Sequence, residues 1–178
     1  MIVVLMGVSG SGKTTIGTLL AERTGAVFAD ADDYHPLANK QKMAAGHPLD
    51  DDDRQPWLET LNGLMRGWFK EGSSGVLACS ALKAKYRDTL ASGMPEGAVH
   101  FVLLEGSPDL IAQRLAGRKH EYMNPNLLSS QLKTLETPSE AEAFRIVNDR
   151  PPKVIVDKIL AHVAVSKGIE STSGTTPQ

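Results

Sequence analysis

Gly7-Val8-Ser9-Gly10-Ser11-Gly12-Lys13-Thr14 is the most informative stretch of this 178-residue chain. It satisfies the pattern G-x-x-x-x-G-K-[ST], in which glycines let the backbone curl so that several N–H groups point at one phosphate. An apolar run at 2–6 precedes it, and apolar residues at helical spacing over 13–24 follow it. A strand before the loop and a helix after it are the context that this pattern requires, so we predict a phosphate-binding loop here.

Each part of this loop has an expected role. Lys13 can reach the β- and γ-phosphate oxygens of a nucleotide, and the Thr14 hydroxyl can ligate Mg²⁺. The residues predicted to bind ATP with its magnesium ion are Gly7, Val8, Ser9, Gly10, Ser11, Gly12, Lys13, Thr14 and Thr15. By itself the loop predicts only ATP or GTP binding, because switch proteins and motors carry it as well as kinases.

The composition is typical of a soluble protein with one domain. Apolar residues make up 41% of the chain and charged residues 22%, and the net charge of -2 provides no general attraction to nucleic acid or anionic membranes. No apolar run approaches the ~20 residues that a membrane span needs. The first six residues lack the basic region of a signal peptide, and the single cysteine, Cys79, suits a reducing compartment. We therefore expect a cytoplasmic protein that binds neither nucleic acid nor membrane.

Strand and helix signals alternate along the chain. Short apolar runs predict strands at 2–6, 26–29, 76–79, 99–104 and 144–147. Amphipathic segments predict helices at 13–24, 36–45, 54–70 with Asp53 as N-cap and Pro56 in its first turn, 81–90, 108–116, 127–135 and 151–165. This alternation predicts an α/β fold in three layers around a mostly parallel five-stranded sheet. One domain would cover 1–165, and the Ser/Thr/Gly-rich tail over 166–178 is predicted to be disordered.

Acidic residues follow the second predicted strand, in the run Asp30-Ala31-Asp32-Asp33-Tyr34-His35. Ligands of open α/β sheets bind at the carboxyl ends of strands. Side chains at i and i+2 of a strand point to the same side, so Asp30 can hold Mg²⁺ through water while Asp32 accepts a hydroxyl proton. Asp33 fits a helix cap or a solvated acid equally well. His35 either contacts the substrate or packs.

Cations near the other strand ends are candidates for binding an anionic substrate. Arg54 follows four acids and is either their ion-pair partner or a clamp on a carboxylate. Lys83 follows the third strand, and Arg87 one turn later either faces the same cleft or is an exposed helix charge. The third strand lacks a terminal acid, so metal ligation would rest on Thr14, water and the Asp30/Asp32 pair.

A basic cluster precedes the loop over 121–126. Its members are Arg114, Arg118, Lys119 and His120. Cations at this place can close over a transferring phosphoryl group as part of a mobile lid around 118–136. The alternative is a basic helix end that the helix dipole stabilises.

Together these segments resemble gluconate kinases of the P-loop type. The phosphate loop, the run 30–36, and the stretch 42–58 with its Pro-Leu-x-Asp-x-Asp-Arg-x-Pro-Trp-Leu pattern carry the resemblance. Cys79-Ser80-Ala81-Leu82-Lys83 with Tyr86-Arg87-Asp88, and Leu127-Leu128-Ser129-Ser130-Gln131 with Leu135-Glu136, continue it. The resemblance extends over about residues 1–165. The Pro-Leu-x-Asp-x-Asp-Arg-x-Pro-Trp-Leu and Cys-Ser-Ala-Leu-Lys stretches are specific, whereas a whole superfamily shares the phosphate loop.

The resemblance implies ATP-dependent phosphorylation of D-gluconate to 6-phosphogluconate by a homodimer with a P-loop kinase fold, like nucleoside monophosphate and shikimate kinases. It implies that the catalytic residues are Lys13, Asp32 and Arg118. The residues predicted to bind the substrate are Asp32, His35, Arg54, Lys83 and Arg87, with one or more of the last three binding its carboxylate. Analogy with shikimate kinase places Asp30, with Thr14, on the Mg²⁺ side. Some members read Arg-Lys-Gly-His-Phe where this chain has Arg118-Lys119-His120-Glu121-Tyr122, which favours Arg118 over His120 as the functional residue.

Two other functions fit the loop. One is a kinase for another small acceptor such as shikimate or a nucleoside monophosphate, although shikimate kinases carry a Gly-Gly pair where this chain has Cys79-Ser80-Ala81. The other is a nucleotide-dependent binding protein with no transfer substrate. Only the first would release ADP faster when an acceptor is added.

Overall fold

Short apolar runs form the centre of the molecule, a parallel sheet buried on both faces. The structure is a computed structural model that describes the backbone of residues 1–117 and 125–172, and the side chains of 1–117 and 128–166. Its strands are β1 (Ile2–Met6), β2 (Val27–Asp30), β3 (Gly75–Ala78), β4 (Val99–Glu105) and β5 (Phe144–Val147). The order of these strands in the sheet is β2-β3-β1-β4-β5, with every pairing parallel. The predicted parallel sheet is therefore confirmed.

Helices cover both faces of this sheet. They are α1 (Lys13–Thr24), α2 (Leu37–Ala44), α3 (Asp51–Lys70), α4 (Ala84–Ala91), α5 (Pro108–Ala116), α6 (Pro125–Thr134) and α7 (Pro152–Thr172), with a short 3-10 helix at Ala31–Tyr34. Successive side chains of β1 point to opposite faces. Val4 packs with Leu61 and Met65 of α3, whereas Leu5 packs with Ile16 of α1 and Ile159 of α7. These two apolar cores give the predicted three layers.

The start of α3 differs from the prediction, which made Asp53 the N-cap. Asp50 is the cap: its Oδ1 accepts a hydrogen bond from the Asp53 amide at 2.8 Å, and Asp53 Oδ2 accepts one from the Asp50 amide at 2.9 Å. This reciprocal pair satisfies two N–H groups that a helix end leaves without partners. Pro56 therefore lies in the second turn, not the first.

Two other helix boundaries differ from the prediction by three residues or more. Helix α4 begins at Ala84, three residues after the predicted start, because Ala81 has a φ of 44° in the left-handed region, which a helix does not admit. Helix α7 continues to Thr172, beyond the predicted end at residue 165. Residues 173–178 of the predicted tail lie outside the described residues. In the described part of the chain, no helix is long and apolar enough to cross a membrane.

The first residue of β3 supports a test of this packing. An added Cβ on Gly75 would lie 2.0 Å from Cε3 of Trp68, a buried ring of α3. We expect Gly75→Ala to lower the free energy of unfolding by about 1–3 kcal/mol through overpacking.

Gly63→Ala is the matched control, because a Cβ there meets nothing within 4 Å in the middle of α3. It should raise stability by up to about 1 kcal/mol. Urea unfolding measures both, and a Gly75→Ala protein as stable as the wild type would contradict the packing of Trp68 on β3.

Candidate active site

Three strand ends meet at the carboxyl edge of the sheet. The phosphate loop leaves β1, the acidic run begins at the last residue of β2, and the turn carrying Lys83 follows β3. Because β1 lies between β3 and β4 in the sheet, the phosphate loop sits near the middle of this edge. The topology therefore brings the predicted nucleotide-binding and acceptor-binding residues to one side of the molecule.

The phosphate loop has the backbone that its glycines predict. Gly7 has a φ of 138°, and a Cβ there would lie 2.7 Å from the Leu104 carbonyl oxygen, so no other residue fits without movement. Lys13 Nζ donates to the carbonyl oxygens of Gly7 and Val8, each at 3.0 Å. Its ammonium group thus lies across the loop, where phosphate oxygens would approach the backbone N–H groups.

Side chains behind the loop hold its second half in place. Asn148 Nδ2 donates to the Ser11 carbonyl oxygen at 2.8 Å, and Arg114 Nη2 donates to the Asn148 carbonyl oxygen at 2.6 Å. A Cβ on Gly12 would lie 2.4 Å from Asn148 Nδ2, which is closer than non-bonded atoms approach. A glycine at position 12 therefore leaves the space that the Asn148 side chain occupies. Sequence reasoning did not single out Asn148. Its place directly after β5, at the carboxyl edge of the sheet, was the available signal.

A cavity of about 290 Å³ lies beside this loop. Its lining includes Gly10, Gly12, Thr15, Arg114, Asn148 and Arg150. Two arginines and the loop glycines are a suitable lining for the remainder of a nucleotide whose phosphates lie in the loop. A second depression of about 350 Å³ between α3 and α4 is lined by Glu59 and Asp88 and lies away from the loop.

The end of β2 carries the two acids predicted to act together. Asp30 Oδ2 accepts a hydrogen bond from the Thr14 hydroxyl at 3.2 Å, and its Oδ1 accepts one from the Asp32 amide at 3.0 Å. The expectation that Asp30 and Asp32 share one side of a strand was wrong, because β2 ends at Asp30 and Asp32 belongs to the 3-10 helix. Asp30 caps that helix instead, and so it is fixed beside Thr14.

His35 lies beside Asp32 and is held by Trp57. The two rings stack with centroids 4.2 Å apart, and Trp57 Nε1 donates to the Ala31 carbonyl oxygen at 2.7 Å. His35 Nε2 is 4.0 Å from Asp32 Oδ1, and the Asp32 side chain is 87% exposed. Burial, with the nearby charges of Arg54 and Lys40, lowers the pKa of His35 below its ordinary value, so the ring is neutral at pH 7.

Two lysines and a phenol contact Asp51 at the start of α3, and Arg54 contacts the phenol. Lys83 Nζ donates to Asp51 Oδ1 at 3.0 Å, and Lys85 and the Tyr86 hydroxyl donate to the same carboxylate. Arg54 Nη1 donates to the Tyr86 hydroxyl oxygen at 3.1 Å. Hydrogen bonds from Lys85, Tyr86 and Lys83 hold the pKa of Asp51 well below its usual range. The structure thus brings Arg54 and Lys83 together, and Asp51 and Tyr86, which sequence reasoning missed, connect them.

Arg87 does not join this group. Its side chain is buried, and Nη1 donates to the carbonyl oxygens of Ala81 and Leu82 at 3.1 and 3.3 Å. These contacts stabilise the turn between β3 and α4, in which Ala81 has its positive φ. They favour a role in shaping that turn over the predicted role in binding substrate.

The remaining candidates are Asp33, Cys79, Arg118 and His120. Asp33 is exposed in the 3-10 helix. Cys79 is buried, and burial raises the pKa of its thiol to about 12, so it is a poor nucleophile at neutral pH. Arg118, predicted as catalytic, and His120 lie outside the described residues.

Comparisons with known proteins show what the chain resembles. A family model described as an AAA domain matches residues 2–138. A Xenopus tropicalis protein named probable gluconokinase is 47% identical over 177 residues, which cover 92% of this chain and 93% of that protein. The crystal structure of a gluconokinase from Sinorhizobium meliloti 1021 matches with a TM-score of 0.83 at 39% identity, covering 96% of each chain.

Comparison with solved structures also finds proteins of low sequence identity that share the fold. Shikimate kinase from Aquifex aeolicus matches with a TM-score of 0.58 at 16% identity, covering 98% of this chain and 100% of that one. Identity this low shows a shared fold and no more. The predicted P-loop kinase fold is confirmed.

Proposed function

The chain belongs to the gluconokinase family, and we therefore propose that its reaction is the ATP-dependent phosphorylation of D-gluconate to 6-phospho-D-gluconate. Support comes chiefly from two groups that share the carboxyl edge of the sheet. Lys13 lies across a phosphate loop, and a cationic cluster of Arg54 and Lys83 lies at the adjoining strand end. The first group suits the donor of a phosphoryl group, and the second suits an acceptor that carries a carboxylate.

Different residues contribute to different parts of phosphoryl transfer. Loop N–H groups and Lys13 bind the β- and γ-phosphate oxygens and neutralise the charge that develops on them. Asp32, which is exposed in the 3-10 helix after β2, orients the acceptor hydroxyl or accepts its proton as the new bond forms. Arg118 stays a prediction as a further cation on the transferring group. A lid around 118–136 also stays a prediction, and its described end, over 128–136, contacts the phosphate loop and the turn after β3.

Thr14 and Asp30 have the chemistry that Mg²⁺ requires. Magnesium prefers oxygen ligands and keeps several waters, so one hydroxyl and one carboxylate beside the phosphates suffice. Asp30 accepts the Thr14 hydroxyl hydrogen, which leaves the lone pairs of that oxygen for a metal ion. The ion would screen the phosphate charge when bound. Among the described residues there is no cluster of three His, Cys, Asp or Glu side chains of the kind that other metals use.

An ADP-release assay tests the function directly. We expect D-gluconate to stimulate ADP release by the purified protein with MgATP at least tenfold over the acceptor-free rate, and shikimate and nucleoside monophosphates to leave that rate unchanged. Stimulation by one of those instead would assign the chain to another small-molecule kinase. MgATP binding without stimulation by any acceptor would indicate a nucleotide-dependent binding protein.

Lys83 is the residue that we expect to bind the gluconate carboxylate, together with Arg54. An ammonium group has three N–H donors, so Lys83 can bind Asp51 and still donate to a substrate. Lys83→Met should raise KM for gluconate about ten- to hundredfold through loss of a charge-assisted hydrogen bond, with little change in KM for ATP. Lys85→Met is the matched control, since Lys85 binds the same Asp51 but is more exposed, at 58% against 28%. Equal effects of the two substitutions would contradict this assignment.

The assembly and location stay predictions. The resemblance implies a homodimer, which sedimentation of the purified protein measures. A cytoplasmic location and the absence of nucleic-acid partners follow from composition and charge, as argued above.

A further inference from the structure

One side chain from α6 contacts the phosphate loop. Gln131 Oε1 accepts a hydrogen bond from the Ser9 amide at 2.8 Å, and Gln131 Nε2 donates to the Ser9 hydroxyl oxygen at 3.2 Å. A backbone N–H can only donate, so the orientation of the Gln131 amide is fixed by its partner. Both ends of this amide are therefore used on a single loop residue.

The bonded N–H belongs to the same peptide unit that holds the lysine. The carbonyl oxygen of Val8 accepts from Lys13 Nζ at 3.0 Å, and the N–H of that peptide is the Ser9 amide bound by Gln131. A trans peptide is planar, and its C=O and N–H point in opposite directions. Fixing the N–H towards Gln131 thus fixes the direction of the carbonyl towards Lys13. Polarisation along the chain of bonds strengthens both.

Helix α6 is itself fixed where Gln131 leaves it. Leu128 packs against a small apolar cluster that includes Val8 and Ile111. Just after the helix, the Glu136 amide donates to the Leu82 carbonyl oxygen at 2.8 Å, and Glu136 Oε2 accepts from the Ala84 amide at 2.7 Å. The side chain that binds Ser9 therefore comes from a helix that is itself hydrogen-bonded to the turn after β3. Water could replace its hydrogen bonds to Ser9 only at a cost in free energy.

We propose that Gln131 is a positioning residue for Lys13, acting through the peptide between Val8 and Ser9. This rests on the proposed function, in which Lys13 neutralises charge on the transferring phosphoryl group. The Val8 carbonyl oxygen also accepts from the Ser11 amide at 3.1 Å, so without Gln131 the peptide is held on its carbonyl side alone and positions the ammonium group over the loop less firmly. Electrostatic catalysis depends on groups that are already in place, so the loss falls on transfer more than on gluconate binding.

Two substitutions separate this role from general stability. Gln131→Met keeps the length of the side chain and removes both hydrogen bonds, whereas Gln131→Glu keeps an oxygen that accepts from the Ser9 amide. Gln113→Met is the control, because Gln113 is exposed on the neighbouring helix α5. The measurements are kcat and KM in the ADP-release assay, the dissociation constant for MgATP, and hydrogen exchange of the Ser9 amide in the nucleotide-free protein.

For Gln131→Met we expect Ser9 exchange to be about tenfold faster, MgATP to bind several-fold more weakly, and kcat to fall about ten- to hundredfold with KM for gluconate unchanged. Gln131→Glu should keep the slow exchange of Ser9 and most of kcat, and raise KM for MgATP, because it adds a negative charge near the phosphates. Gln113→Met should match the wild type in all readouts.

Any of three results would overturn the inference: unchanged Ser9 exchange in Gln131→Met, unchanged kcat in Gln131→Met, or equal losses of kcat in the Met and Glu variants. If gluconate did not stimulate the wild type, the proposed function would fail. In that case Ser9 exchange and MgATP affinity would still decide whether Gln131 holds the loop and Lys13, because neither measurement needs an acceptor.

Discussion

Replacing Lys13 by methionine should lower kcat by about a thousandfold or more. Methionine retains most of the side-chain length but has no charge, so nothing replaces the ammonium group that lies over the loop, bound to the carbonyl oxygens of Gly7 and Val8. The transferred phosphoryl group then carries developing charge without its nearest cation. The loss appears as kcat in the ADP-release assay, with thermal unfolding showing that the protein still folds.

The control for this substitution is Lys158→Met, which removes one positive charge from an exposed position on α7. Its kcat should stay within twofold of the wild type. If Lys13→Met retained a tenth of the wild-type rate, Lys13 would not be the main cation that neutralises charge during transfer.

Asp32→Asn should lower kcat by about a hundredfold or more while leaving the affinity for MgATP nearly unchanged. The amide has the shape of the carboxylate but cannot accept a proton. The Asp32 side chain is exposed, and the hydrogen bond that fixes Asp30 comes from the Asp32 backbone amide, so the substitution leaves the metal side of the site intact. Steady-state kinetics with a parallel measurement of MgATP binding separates the two effects.

Asp33→Asn is a closely matched control, because Asp33 is the next residue of the same 3-10 helix and is also exposed. It should leave kcat within about twofold, as is usual for a surface substitution away from the reacting groups. An Asp32→Asn enzyme whose kcat fell only a few-fold would show that Asp32 does not act as the base. Transfer would then depend on positioning and electrostatics alone.

The sheet and the phosphate loop could be predicted because their signals are local. A fully apolar run, three glycines and a lysine occur within the first thirteen residues, and each has a backbone or charge requirement that few structures meet. The cap of α3 was harder to predict. Four consecutive aspartates look alike in sequence, and only the reciprocal hydrogen bonds between Asp50 and Asp53 distinguish the residue that caps.

The site residues that were missed depend on contacts between distant segments. Gln131 and Ser9 are 122 positions apart, and no spacing rule connects them. Arg87 follows the third strand as a substrate-binding cation would, yet its guanidinium group turns inward to two carbonyl oxygens of the preceding turn. Sequence indicates which strand ends meet, and tertiary packing determines where each side chain points.

The central position of β1 has a mechanical consequence. This strand is paired on both edges and buried along its whole length, so the loop that follows it is attached to a stiff support. Helix α2, which follows the predicted substrate-binding residue His35, differs, since it buries a single residue, Asn39, and holds Leu37 70% exposed. Segments with so little burial open at low free-energy cost. Fluctuations that admit and release the sugar acid should therefore be concentrated at α2, while the phosphate donor stays anchored to a strand that is buried and paired on both edges.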